Sequence, residues 1–253
     1  MSGTASGVLV ALETSGPVGS VAVARSGEVI ARAFLTAEWG HATDLLPALE
    51  KSLVEAGVQR SGIEGVVVGS GPGSFTGVRV AAAMAKGLAH GLGVPLWAPS
   101  CLEAAAVGDS VLPRGTGPWN VPPDLLLEAG ERVAGHVRYV LFDARSDRVY
   151  AACYRVHDDA VETLRDPRAT RIGEVLERPL PEDVRFVGTG ALKHRDRIVR
   201  EGRIVLPPPA GMPTADGLIR ILSLTPGVQP VADPWSWEPD YLRASSAERA
   251  GFV

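Results

Sequence analysis

The stretch SGPGSFTGVRVAAAMAKGLAHG, from Ser70 to Gly91, concentrates residues able to handle an anion. Gly71, Gly73 and Gly77 stand among proline and small hydroxyl residues, and a helix almost without bulk follows. Free amides at a helix start can hold a phosphate, with Ser74 or Thr76 as caps. A Walker loop, however, needs Lys and then Ser or Thr after its last glycine, so that the ammonium meets the terminal phosphates and the hydroxyl meets magnesium. Here Val78 and Arg79 follow Gly77. A dinucleotide fingerprint needs G-x-G-x-x-G with an acidic ribose partner about twenty residues on. Gly77 falls one residue too late for it, and no acid stands near position 97. Two readings stay open. The residues favour a structural elbow, a loop of small residues that lets another surface come close; the other reading is a vestigial anion site bounded by Thr14, Ser15, Ser74 and Thr76.

Other residue types give little catalytic chemistry. His41 opens a helical segment in which Leu45 occupies the place of the second histidine of an HxxxH metal pair. His90, His136, His157 and His194 are scattered, and no metal site is expected. Ser15, Ser74 and Ser100 lie in no G-x-S-x-G elbow, and neither Cys101 nor Cys153 is paired with a base by any sequence feature. Asp143 and Asp147 in DARSDR offer two carboxylates, but aspartates in a turn between strands more often bind their own amides. ETSGPVGS, from Glu13, occupies the hairpin position where lobes of the actin and sugar-kinase type bind phosphate. Glu13 stands where those lobes carry aspartate, and the loop has no Lys or Arg. The chain has the outline of a kinase without its charged chemistry, and no cofactor is expected.

Composition narrows the classes further. A chain of 253 residues with 45% apolar content can bury a real core in two lobes. Lys and Arg number 25 against 29 Asp and Glu, a net charge of −4, so the molecule as a whole carries no footprint for a polyanion. Two cysteines without CxxC spacing suggest free thiols in a reducing compartment. MSGTASG has no basic segment followed by an apolar one, and no apolar run approaches about eighteen residues. A soluble, cytoplasmic protein without a membrane association is expected.

The elements that must carry these residues are legible from pattern. VLVALE (Val8–Glu13) and VGSVAVAR from Val18 read as a hairpin, and VIARAFL as a third antiparallel strand. In HATDLLPALEKSLVEAG, Leu45, Leu46, Leu49, Leu53 and Val54 recur as one helical face, closed by Gly57. Ile63 to Ser70 reads as a buried strand, then come the glycine loop and its helix, and PLWAPS ends a first lobe of residues 1–99. Residues 100–253 form the second lobe. It contains a proline-rich insertion from Asp109 to His136, a strand pair around an Asp143–Arg148 turn, a strand–turn–helix start at VRFVGTGA, a helix capped by Thr214 and a tail rich in proline and tryptophan. The Val78–Gly87 helix has almost no polar face, and the leucine-rich helix before it shares the excess. The pair is expected to present a joint apolar patch, the mark of a partner surface.

ALETSGPVGSVAV, HATDLLPALEKSL, GVVVGSGPGSFTGVRVAAAMAKGLA, DARSDRVYAACY, FVGTGA and PDYLR resemble, in this order, the TsaB (YeaZ) family. The likeness is dense over residues 8 to 106, and GPGSFTGVR is its most specific element. It implies an α/β protein with the actin-like ASKHA (ribonuclease H-like) fold in two lobes. It also implies a non-catalytic dimerisation subunit of the bacterial machinery that installs threonylcarbamoyl on a tRNA adenosine next to the anticodon. Such a subunit binds a TsaD-like catalytic subunit, is joined by a TsaE-like ATPase, pairs with itself in isolation and meets tRNA only indirectly. The implied docking residues are His41, Leu45, Leu49, Val80, Ala83, Met84 and Gly87. The proline-rich insertion departs from the family pattern. Two rival readings remain from the residues: a small-molecule kinase or ATPase using ETSGPVGS and GSGPGSFTG as paired phosphate loops, and a glycoprotease-like metallopeptidase, against which the lone His41 counts.

Overall fold

A computed structural model describes residues 7–35, 41–108 and 135–240, with the side chains at 41 and 42 outside that description. The proline-rich insertion, up to residue 134, and the chain after residue 240 lie outside it as well. The first sheet is built from β1 (Val8–Glu13), β2 (Gly19–Arg25), β3 (Glu28–Leu35), β4 (Gly65–Val68) and β5 (Leu96–Trp97), in the order β3-β2-β1-β4-β5. The first three strands are antiparallel, and β4 then adds parallel to β1 and β5 parallel to β4. Helix α1 (His41–Glu55) connects β3 to β4, and α2 (Phe75–Leu92) connects β4 to β5.

The second sheet repeats this plan. Strands β6 (Val137–Asp143), β7 (Arg148–Val156), β8 (Val161–Arg171), β9 (Val184–Val187) and β10 (Ile204–Val205) lie in the order β10-β9-β6-β7-β8. Again three antiparallel strands are followed by two parallel ones. Two copies of one mixed sheet make the actin-like ASKHA, ribonuclease H-like arrangement, as the sequence resemblance implies. Short helices α4 (Ile172–Leu176), α5 (Thr189–Lys193) and α6 (Arg195–Arg200) serve the second sheet, while α3 (Cys101–Val107) and α7 (Ala215–Leu224) stand between the two.

Period-two alternation explains the layers. In β1 and β2, Val10, Leu12, Val21 and Val23 meet Leu45, Leu49, Ala81 and Ala85 of α1 and α2. Their neighbours Leu9, Ala11, Ala22 and Ala24 face the opposite way, onto Ala104 of α3 and Leu218 and Ile219 of α7. The inner face of the second sheet (Val140, Phe142, Ala152, Tyr154) closes on α3 and on Ile221 and Leu224 of α7. Its outer face packs Tyr139, Leu141, Ala151 and Phe186 against Ile172, Val175, Ala191 and Ile198. A strand buried on both faces needs apolar residues at every position, which is why VLVALE and GVVV are nearly continuous in sequence. The two middle helices approach closely because Gly217 of α7 leaves room for the Ala104 carbonyl of α3.

The chain after β10 does not stay on the second sheet. Thr214 caps α7 by accepting from the Gly217 amide at 3.1 Å, and Ser20 of β2 accepts from the Ala215 amide at 2.9 Å. A strap then runs along the first lobe. The Val231 amide donates to the Leu96 carbonyl at 2.7 Å, Lys86 Nζ to the Trp235 carbonyl at 3.0 Å, and the Asp240 amide to the Ser70 carbonyl at 2.7 Å. The segment read from sequence as second lobe thus contributes a central helix and a covering strap to the first sheet.

Candidate functional site

The glycine loop is built by three close approaches. A Cβ on Gly77 would collide with the Thr14 carbonyl, and one on Gly73 would lie 2.5 Å from Ser15 Cβ and 2.7 Å from its carbonyl oxygen. Gly71 has φ +104°, a left-handed conformation that L side chains avoid, and its Cβ position is 2.9 Å from the Asp240 carbonyl. Hydrogen bonds seal the same contacts. Ser74 donates its amide to the Ser15 carbonyl at 2.8 Å, Thr14 Oγ1 donates to the Gly77 carbonyl at 2.6 Å, and Cys101 donates its amide to the Gly71 carbonyl at 2.8 Å. Ser74 is the N-cap of α2, accepting from the Gly77 amide at 3.3 Å. These bonds tie the turn after β1 to the start of α2. The four hydroxyls of the alternative anion site do not share one open face: Thr14 and Ser15 are buried, Ser74 and Thr76 exposed.

Beneath the elbow lies a pair that the sequence did not suggest. Cys101 Sγ is 3.1 Å from Glu13 Oε2, and Sγ also accepts the Gly71 amide at 3.2 Å. Glu13 Oε1 accepts the Ser15 amide at 2.5 Å. Burial pushes the Glu13 carboxyl above the ordinary carboxylate range, against the hydrogen bonds from Ser15 and Cys101. Burial, then the nearby Glu13 charge, pushes the Cys101 thiol well above its usual value. No sequence feature paired either cysteine with a base, and the partner of Cys101 is an acid brought to it by the fold. The two residues are 88 positions apart, beyond any spacing argument.

Elsewhere the candidate acids and bases have structural employment. Asp143 Oδ1 accepts the Arg145 amide at 2.9 Å and pairs with Lys193 Nζ at 2.7 Å, while Asp147 lies 3.8 Å from Arg197. Arg145 and Ser146 have φ +65° and +54°, the two left-handed residues of a tight hairpin turn, so these aspartates stabilise the turn. His90 rests on the Trp235 ring with centroids 5.6 Å apart. Burial lowers the His194 imidazole below its usual value. Among the described residues no three His, Cys, Asp or Glu side chains are grouped to hold a metal. No helix there is long and apolar enough to cross a membrane.

The helix pair separates into inner and outer residues. Leu45 and Leu49 are 1% and 2% exposed and fill the core of their own lobe, because positions i, i+4 and i+8 turn with Leu53 toward the sheet. Grouping them with a docking face is corrected, as is placing Leu46 and Val54 on the same stripe. Leu46 is 51% and Val54 81% exposed, about a quarter turn or more away. On α2, Ala81, Ala85 and Ala89 are buried, Val80 and Met84 are half-buried, and Ala83 and Gly87 are exposed. A Cβ on Gly87 or Gly91 would meet nothing within 4 Å. The outward surface is therefore Leu46 and Val54 with Ala83, Gly87 and the edges of Val80 and Met84, and the His41 side chain lies outside the described residues. Sequence reading missed the strap beside it, since the exposed Trp235 is held against α2 by Lys86 and His90.

Comparison with known proteins agrees with this geometry. The sequence model of the family described as TsaD, tRNA N6-adenosine threonylcarbamoyltransferase, matches residues 35–215. The tRNA threonylcarbamoyladenosine biosynthesis protein TsaB of Bacillus subtilis is 27% identical over 75% of this chain and 74% of its own length. The protein of that name from Escherichia coli is 27% identical over 79% of this chain and 81% of its own. Among solved structures, a Pseudomonas aeruginosa protein described as similar to the peptidase YeaZ superposes with a TM-score of 0.70 at 25% identity, over 94% of this chain and 100% of that one. With the duplicated sheets, the elbow and these matches in hand, the chain belongs to the TsaB (YeaZ) family, within the wider group that the TsaD sequence model describes.

Proposed function

We propose that this protein serves tRNA threonylcarbamoyladenosine biosynthesis as a non-catalytic adaptor that docks a TsaD-like transferase subunit through the outer surface of α1 and α2. The first part rests on the relatives that carry that name. The second rests on one observation: Ala83 and Gly87 leave open space on α2 while Leu46 and Val54 project from α1, one turn either side of Glu50, whose charge is paired with Arg60. Small residues permit close helix packing, at roughly 8 to 10 Å between axes. The interior supports the same reading, because in the loops that would hold phosphate in a kinase the Thr14 hydroxyl, the Ser74 hydroxyl and the Ser74 and Gly77 amides bond within the loops themselves. A TsaE-like ATPase would join this complex, a second copy of the chain would occupy the surface when the transferase subunit is absent, and tRNA would be reached through the partner.

The test is co-purification with the TsaD-like subunit of the same cell. The wild-type chain is expected to elute with it, and an Ala83→Asp/Gly87→Asp double variant to elute alone with an unchanged circular dichroism spectrum. Retention of the complex by that variant would overturn the docking surface. Tight binding and turnover of Mg-ATP by the isolated chain would overturn the non-catalytic role.

A further inference from the structure

We infer that Glu13 is a proton-held latch on the elbow of α2: neutral, its carboxyl fits the closed space between β1, the glycine loop and α3, and its ionisation releases the loop and the first turns of the helix. Glu13 is 1% exposed and forms no ion pair among the described residues. Its neighbours from each packed element carry no cation. From α3 comes the Cys101 thiol, from the loop Gly69 and Gly71, from β2 its register partner Ser20, and from its own turn the hydroxyl and amide of Ser15. Gly69 is required there, since a Cβ would collide with Glu13 Oε2 and sit 2.5 Å from Cys101 Sγ. An unpaired carboxylate in such surroundings costs several kcal/mol, and a neutral acid does not.

The latch reaches α2 through short links. The Glu13 carboxyl fixes the Ser15 amide, and the Ser15 carbonyl in turn accepts from Ser74, the N-cap of α2. Thr14, next in the chain, donates to the Gly77 carbonyl in the first turn. Through Cys101 the carboxyl also reaches the Gly71 amide. A carboxylate drawn toward water would pull all three anchors at once. Folded Glu13 holds its proton more tightly than an ordinary carboxyl, so the stabilisation is present below about 4.5 and is lost as pH rises toward the folded value. Any weakening of partner association with pH rests on the proposed docking role of α2; the latch itself does not.

Hydrogen exchange of the amides from Ser74 to Val80, followed between pH 5 and 9 on the intact chain, tests the latch. If opening releases one proton, the opening constant rises about tenfold per pH unit until the folded pKa is reached. Exchange then gains about a hundredfold per unit in the wild type, against the tenfold of base catalysis alone in Glu13→Gln. Parallel profiles for the two proteins would overturn the inference. Should Glu13→Gln fail to fold, Cys101→Ala carries the test, because losing the thiol donor moves the steep region to higher pH; an unmoved profile counts against the latch. An infrared band of a protonated carboxyl that persists above the ordinary carboxylate range in the wild type and is missing from Glu13→Gln is expected, and its absence would refute the neutral form. A steep wild-type exchange profile with transferase binding unchanged over the same pH range would instead fault the docking role alone.

Discussion

Thr14 Oγ1 donates to the Gly77 carbonyl at 2.6 Å across 63 residues of sequence, so the turn after β1 and the first turn of α2 are one object. Gly77 is glycine because the Thr14 carbonyl occupies the place of its Cβ. Neither backbone can retreat without dragging a buried strand or the start of α2.

Gly77→Ala should therefore destabilise the chain by about 3 kcal/mol or more, whereas Gly87→Ala, with nothing near its Cβ, should stabilise it by about 0.5 to 1 kcal/mol through helix propensity. Urea unfolding of the two variants should move in opposite directions.

Adjacent leucines on α1 separate core packing from the proposed docking surface. Leu45→Ala opens a cavity in the first-lobe core and should cost about 2 to 5 kcal/mol. Leu46→Asp should leave stability within about 0.5 kcal/mol and weaken association with the transferase subunit at least tenfold by titration.

Both thiols should be silent in the native protein. Burial carries Cys153 up to about 12, and Cys101 is enclosed beside Glu13. Since the thiolate is the nucleophile, a thiol-reactive dye at pH 7.5 should label neither until denaturant is added. Fast labelling of either would disprove its enclosure.

Asp143 and Asp147 hold a turn rather than a substrate. Asp143→Asn with Asp147→Asn should change stability by about 1 kcal/mol or less, since both ion pairs are surface pairs. Threonylcarbamoylation by the reconstituted complex should proceed at the wild-type rate.

Much of the architecture could be read in the chain alone. Alternation in VLVALE and GSVAVAR, the Gly57 helix end, and the caps Ser74 and Thr214 are local signals, and each reappears where residue type and spacing predict it. The failure of the glycine loop to match either phosphate motif was also local, a matter of which residues follow Gly77. What sequence could not decide was direction. Leu45 and Leu46 are chemically identical, and only the placement of the first sheet under α1 turns one inward and leaves the other exposed. Nor could spacing reveal that Cys101 meets Glu13, or that Asp240 returns to Ser70. Those contacts join residues far apart in the chain, and they exist because two sheets close on α3 and α7 and bring the ends of distant strands to one point.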